Sequence, residues 1–443
     1  MNMFLKVMLS FALCYVVGVL PVFAEVFNHH IFYRQDTRAP LTRIDIVFLG
    51  AGRNQDLPSK IGLARTVSEL IREAAKRRGY LDQLSALGTR FGTSTNTSTH
   101  YQTISIYGLS SNCGESIKIV VDLIQDLEFS DLDLKEVKKQ LTTIYQNDLR
   151  YRSSTLMKHF TLSQTTGIKK QNSLKTLKNL SLEDIRQYYD KLMKTEVVFF
   201  KVISDLDSTE VAKLLRPITE ERETGGFVHS LAHLKTDTKV GPAAFVFNSN
   251  IKSVFSYWLI PFGNLGEETY VPALIASALR GDIHGLIPKY FREELGLTYS
   301  PSCRVRTSEE VIYFEIYADP QLHNSEELIQ KMSDFIRELS DNPRFWEALK
   351  ERREILKVSD VHNQTPQRSL NREVSRAIYN IPRRKGGYDS VTDEEIRSFL
   401  ENFFVSDNMI MIFRGPKDNI KDVLNTHWPE AEVHEPSRQS LIE

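Results

Sequence analysis

The order of secondary-structure signals repeats along this chain, and that repeat limits its possible folds more than any single motif. Leu41–Leu49 alternates apolar and polar residues as a strand does. Residues 61–74 carry a helical stripe of Leu63, Val67, Leu70 and Ala74, and residues 97–109 alternate again. Amphipathic helices follow over 115–127, 134–149 and Leu182–Met193, then an apolar run over 197–203 and a further short helix. The second half runs through the same order: strand signals within 243–261, a helix over 268–279, strand signals over 304–317, helices across 325–379 and a last strand over 408–414. Residues 220–240 are charged, contain Gly225-Gly226 and hold no sustained apolar period, which marks a linker. Strands interleaved with blocks of helices predict an α+β fold of two similar domains, 25–219 and 241–443. Each is expected to be a mainly antiparallel sheet with helices packed on one face.

With 443 residues, 41% hydrophobic and 26% charged, the chain is long enough to give both halves a core. Lys+Arg 56 against Asp+Glu 57 leaves a formal charge of −1 with no long basic run, which argues against a nucleic-acid or anionic-membrane partner. Residues 1–24 read as a signal peptide. Lys6 is followed by a largely apolar stretch to Leu20, and Val22-Phe23-Ala24 places small residues where a signal peptidase cuts. The bulky Leu13 before Cys14 argues against lipidation. These features predict export, most simply to the periplasm of a Gram-negative bacterium, and no later apolar run is long enough to span a membrane. Two cysteines remain, Cys113 and Cys303, in different halves. They are expected to be unpaired, partly buried thiols, although spacing alone leaves a disulfide open.

One short string stands out chemically. In Phe291-Arg292-Glu293-Glu294-Leu295-Gly296-Leu297-Thr298-Tyr299-Ser300, Arg292 and Glu293 suit the last helical turns, Gly296 can adopt the left-handed conformation that ends a helix, and Leu297-Thr298-Tyr299 is β-prone. The string therefore predicts a helix that feeds directly into a strand, aiming a guanidinium and a phenol at one place. Five donors on Arg292 and one hydroxyl on Tyr299 suit gripping peptide carbonyls; the plainer alternative is a surface ion pair and a sheet tyrosine.

The two α+β halves, the signal peptide and the string Arg-Glu-Glu-Leu-Gly-Leu-Thr-Tyr together resemble the pitrilysin/insulinase family of zinc metallopeptidases. That family carries an inverted zinc motif, His-x-x-Glu-His, on a helix after a Gly-Leu-Ala stretch, with a third ligand, a Glu, some 75 residues further on. Here Gly62-Leu63-Ala64 continues as Arg65-Thr66-Val67-Ser68-Glu69. The resemblance thus puts Arg65 and Glu69 at the two histidine positions, Ser68 at the general-base position and Gln146 at the third ligand position, with Lys139, Thr142 and Thr143 forming a polar stripe on the same helix. Arg65 stays protonated and Gln146 offers a neutral amide, so one carboxylate is left to hold a metal; Ser68 cannot act as the base. Arg65 and Glu69 are more simply read as an i,i+4 ion pair.

Other candidate sites carry less. His229 and His233 lie in the linker, and His29-His30 stand near the start, with no partner ligands at useful spacing. Ser68 has no histidine beside it in its own segment, and residues 280–285 have too few glycines for a phosphate loop. In two-chain members of the resembled family one subunit is an active zinc enzyme, while the other lacks the motif and supplies an Arg-Tyr pair, which Arg292 and Tyr299 match. The resemblance therefore implies a non-catalytic subunit, substrate-binding through Arg292 and Tyr299, without cofactor of its own. Zinc is expected in a homologous catalytic partner, and a peptide is the expected substrate. It also places Phe91-Gly92-Thr93-Ser94-Thr95 at an edge strand able to pair with extended peptides. The alternative is a peptide-binding or scaffold protein of the same fold with no proteolytic partner.

Overall fold

The computed structural model describes residues 31–443 apart from 94–99, 169, 171–172, 195–197, 220–240, 265–268, 281–284, 309–310, 363–364, 380 and 382–383. The expected signal peptide, His29-His30, the linker with His229 and His233, Ser94-Thr95 and residues 281–284 lie outside the described residues.

The first sheet contains β1 (Ile31–Gln35), β2 (Leu41–Leu49), β3 (Arg90–Thr93), β4 (Tyr101–Leu109) and β5 (Val198–Ser204), in the order β1-β5-β2-β4-β3. The second contains β6 (Ala243–Asn248), β7 (Phe255–Asn264), β8 (Ser302–Ser308), β9 (Val311–Ala318), β10 (Ile410–Gly415) and β11 (Glu432–His434), in the order β11-β6-β10-β7-β9-β8. Apart from β11 the two orders match strand for strand. In each, the first strand runs parallel to the last of the repeat and the other neighbours are antiparallel. The repeat visible in the sequence is thus a repeat of topology. β1 and β11 are absent from the sequence reading; both are short edge strands whose parallel partners lie far away in the chain. Residues 297–299 depart from expectation. Instead of a strand they make one bridge, Thr298 to Pro320, and β8 begins only at Ser302.

Helices position the rest: α1 (Leu63–Arg77), α2 (Asp131–Tyr151), α3 (Ser153–Thr165), α4 (Leu182–Met193) and α5 (Pro366–Tyr379). On the first sheet Ile44, Ile46 and Phe48 of β2 share a core with Val67 and Leu70 of α1, Leu141 of α2 and Ile185 of α4. On the second, Trp258, Ile260 and Phe314 pack on their own half's helices through Leu274, Leu328 and Phe345. These are the helix-covered faces predicted from alternation. The opposite faces are covered as well, by exchange. Leu370, Val374 and Ile378, one stripe of α5 from the second half, pack on Val47, Leu49 and Phe199 of the first sheet. Leu156, Met157 and Leu162 of α3 from the first half pack with Phe245, Tyr257 and Leu259 of the second. Burying each such side chain stabilises the fold by roughly 1.5–3 kcal/mol.

Both exchanged faces bury an acid. Asp45 is only 2% exposed and is balanced within its own sheet by Lys201 (3.0 Å) and Arg43 (3.1 Å). Glu315 is balanced by Arg306 of β8 (3.6 Å) and, across the halves, by a close ion pair to Lys158 of α3. Burial alone would raise the Asp45 carboxyl; the Lys201 and Arg43 charges and a Ser105 hydrogen bond outweigh it and hold the group below the usual carboxylate range.

Candidate functional site

The helix that aligns with the zinc-motif helix of the resembled family is held in place by polar side chains from outside it. Gly62, at φ 91°, precedes α1, and the N–H groups of Gly62 and Ala64 donate to the Asp56 carboxylate at 2.8 and 3.0 Å. That carboxylate satisfies donors a helix start leaves open. Ser68, at the base position, is buried; its hydroxyl donates to Gln102 Oε1 (3.3 Å), and Gln102 Nε2 donates in turn to the Ala64 carbonyl (2.8 Å). Gln102 Nε2 also donates to the Tyr188 hydroxyl (3.3 Å), which donates to the Ala51 carbonyl, so neutral groups tie α1 to β4 and α4.

The Arg65 guanidinium lies over the ring of Tyr145, 5.2 Å from its centroid. Glu69 faces Arg72 of the same helix at 4.0 Å. Gln146 is exposed; its neighbour Tyr145 is the α2 residue whose ring meets Arg65. The Tyr145 hydroxyl is buried with no hydrogen-bond partner among the described residues, and burial pushes its pKa up to about 12, so it stays neutral. A guanidinium, a neutral phenol, a neutral amide, a hydroxyl and one carboxylate do not make a zinc donor set. Among the described residues no group of three or more His, Cys, Asp or Glu could hold a metal ion.

The second candidate region is built differently. Residues Lys289–Glu294 form a π-helical turn, a wide turn often found at functional positions. Phe291 anchors it, buried against the rings of Tyr290 (4.9 Å) and Phe335 (5.5 Å). The Leu295 N–H donates to the Tyr290 carbonyl (3.0 Å) and the Leu297 N–H to the Phe291 carbonyl (2.9 Å), closing the turn through Gly296 at φ 65°. Gly296 therefore ends the helix as predicted. Arg344 grips both oxygens of Glu294 at 3.0 and 2.8 Å. Arg292 bonds Glu293 at 2.8 Å with its side chain about one-third exposed, and Tyr299 stands 82% exposed. Arg292 is in an ion pair, as the plainer reading held, but Tyr299 is no sheet residue.

Phe91, Gly92 and Thr93 do lie in an edge strand, β3. Cys113 and Cys303 are free and buried, in separate cores; burial pushes the Cys113 thiol up to about 11. Sequence reading missed Tyr145, Asp56 and Gln102, which occupy the α1 region. Only Asp56, an acid a few residues before a helix start, carried a recognisable signal.

Comparison with known proteins agrees with this construction. A family model described as the Peptidase M16 inactive domain matches residues 179–354. A curated relative from Rickettsia felis, named an uncharacterized zinc protease, is 24% identical over 50% of this chain and 54% of its own length. The peptidase M16 inactive domain from Pseudomonas fluorescens superposes with a TM-score of 0.72 at 14% identity, covering 87% of this chain and 95% of that one. The first half of the periplasmic protease PqqL from Escherichia coli gives 0.67 at 13% identity, covering 89% and 91%. Against whole PqqL the chain covers 48% of the length, so it spans about half of that protein and of the Rickettsia felis relative. At such identities the two solved structures speak for the fold. No helix among the described residues is long and apolar enough to cross a membrane. Residues 179–354 thus match the Peptidase M16 inactive domain, the chain shares the fold of M16-type structures, and its α1 carries no metal donor set.

Proposed function

We propose that this chain is the non-catalytic subunit of a periplasmic two-chain zinc metalloprotease, and that Arg292 and Tyr299 are its contribution to a peptide-binding chamber. A homologous catalytic subunit supplies the zinc and the general base. The observation that carries the reading is an asymmetry: α1 offers no metal donor set, while the Gly296 joint presents a guanidinium and a highly exposed phenol. Both groups can donate to backbone carbonyls of an extended peptide, or to the oxygen on which charge develops at the scissile bond. Relatives named as a zinc protease and a periplasmic protease support the substrate class and the compartment. The apolar residues 7–20 support export.

Co-expression with each homologue from the same genome that keeps His-x-x-Glu-His tests the proposal. A specific pair should bury on the order of 1,200 Å² or more and survive size-exclusion chromatography at micromolar concentration. Peptide cleavage is expected from the pair and from neither chain alone, with zinc found by elemental analysis in the partner only. If every such homologue leaves both chains monomeric and inert, the scaffold reading replaces this one.

A further inference from the structure

Tyr299 is the most exposed large apolar side chain among the described residues, yet its neighbours are tightly placed: Leu297 and Thr298 are buried. The Thr298 hydroxyl donates to Asp319 Oδ1 (2.8 Å) and accepts from the Asp319 N–H (3.0 Å). The Ser300 N–H donates to the same Oδ1 at 3.3 Å, and Thr298 bridges to Pro320 through the backbone. A single carboxylate oxygen thus holds the residue before Tyr299 and the residue after it. With both flanks pinned to the end of β9, the Cα–Cβ direction from which the Tyr299 ring projects is fixed. A clasp that leaves an aromatic ring in water is a poor stabilising device. Its geometric effect is direction.

We propose that Asp319, acting through Thr298 and Ser300, is a positioning residue that aims the Tyr299 phenol at the bound peptide. This rests on the function proposed above. The test uses the assembled two-chain complex and a fluorogenic peptide. Asp319→Ala and Thr298→Val should each lower kcat/KM at least about tenfold, since misplacing a contact group by about 1 Å can cost on the order of 10² in rate. Thr298→Ser, which keeps the hydroxyl, should restore turnover to within about twofold of the parent. In a Tyr299→Ala background Asp319→Ala should add nothing, because a residue that acts only through Tyr299 has nothing left to aim. Full additivity in that background would overturn the inference. So would a loss on Tyr299→Ala that neither Asp319→Ala nor Thr298→Val shares, and in that case the proposed function still stands. A Tyr299→Ala complex with unchanged turnover, or an assembly that cleaves no peptide, removes both. If Asp319→Ala does not fold, Thr298→Val and its serine counterpart decide the question alone.

Discussion

The joints at Gly88 and Gly296 occupy the same place in the two repeats, each leading into the edge strand of its sheet, and they differ by small insertions. At Gly88 (φ 68°) the helix Tyr80–Ala86 closes with a bond from the Thr89 N–H to the carbonyl of buried Leu84, and β3 starts two residues after the glycine, at Arg90. At Gly296 (φ 65°) the corresponding bond runs from the Leu297 N–H to the carbonyl of buried Phe291. It spans one residue more, and β8 starts six residues after the glycine, at Ser302. The extra residue makes the π turn, and the extra residues after the glycine include Tyr299 and its clasp. Matching the buried anchors makes Ser85 the counterpart of Arg292. The architecture common to both repeats serves stability, and the exposed chemistry sits where the second repeat departs from it.

If the halves differ mainly at these joints, matching buried features should behave alike, and the buried acids test this with the largest expected effect. Asp45→Asn and Glu315→Gln should each destabilise the chain by roughly 3–5 kcal/mol in denaturant titrations at neutral pH, because each leaves a partner charge uncompensated. Asp45 titrates lower folded than unfolded, so its contribution is present above the unfolded value near about 3.9 and is lost as pH falls through the depressed folded value. The gap between parent and Asp45→Asn should therefore narrow in acid. A much smaller loss for Glu315→Gln would mean that the cross-half ion pair is not equivalent to the pair within the first sheet.

The joints themselves should behave differently. Arg292→Ala or Tyr299→Phe should lower peptide turnover by the complex on the order of 10² to 10³, with assembly unchanged, as for a donor that meets charge mainly in the transition state. Ser85→Ala, at the counterpart position, should leave turnover where it was. Values for Arg292→Ala and Tyr299→Phe within about twofold of the parent would erase the distinction between the repeats. Gly88→Ala and Gly296→Ala should cost about 1–2 kcal/mol each in unfolding free energy, since both glycines hold a left-handed backbone with space for a methyl group around them. Unequal costs would show that one joint is more constrained than its conformation suggests. The smallest effect is expected at Arg65→Gln: loss of the cation–π contact with Tyr145 should cost about 0.5–1 kcal/mol, with no change in turnover.

Much of this was legible in the sequence, for identifiable reasons. β2 shows in alternation where Ile44 and Ile46, facing their own half's helices, alternate with Arg43 and Asp45, and the α1 stripe shows because it faces the sheet. Gly296 was legible as a helix end because a left-handed residue there strongly favours glycine. The exchange of α3 and α5 was not, since the period of a helix reveals that it has an apolar stripe and not which sheet receives it. The wide turn at Lys289–Glu294 looks in sequence like an ordinary helix end, and β-prone residues at 297–299 suggested a strand where Asp319 imposes a clasp instead. Counting residues along α2 led to Gln146, whereas rotation about the helix axis brings Tyr145 against Arg65. Arg292 and Tyr299 are candidates only through family resemblance, because an arginine beside a glutamate is by itself an ordinary surface pair.

The helix exchange has a consequence for how such a chain can be divided. Residues 31–219 translated alone would lack α5, and the face of β2 bearing Val47, Leu49 and buried Asp45 would meet water. The second sheet without α3 would be left with Phe245, Tyr257 and Leu259 bare. A gene fragment ending at the linker should therefore give an aggregating product, while a protease nick there should leave one undissociated particle whose pieces part only in denaturant. What looks like a tandem of two modules is packed as one body, and under the proposed function an opening that admits a peptide would occur between whole chains.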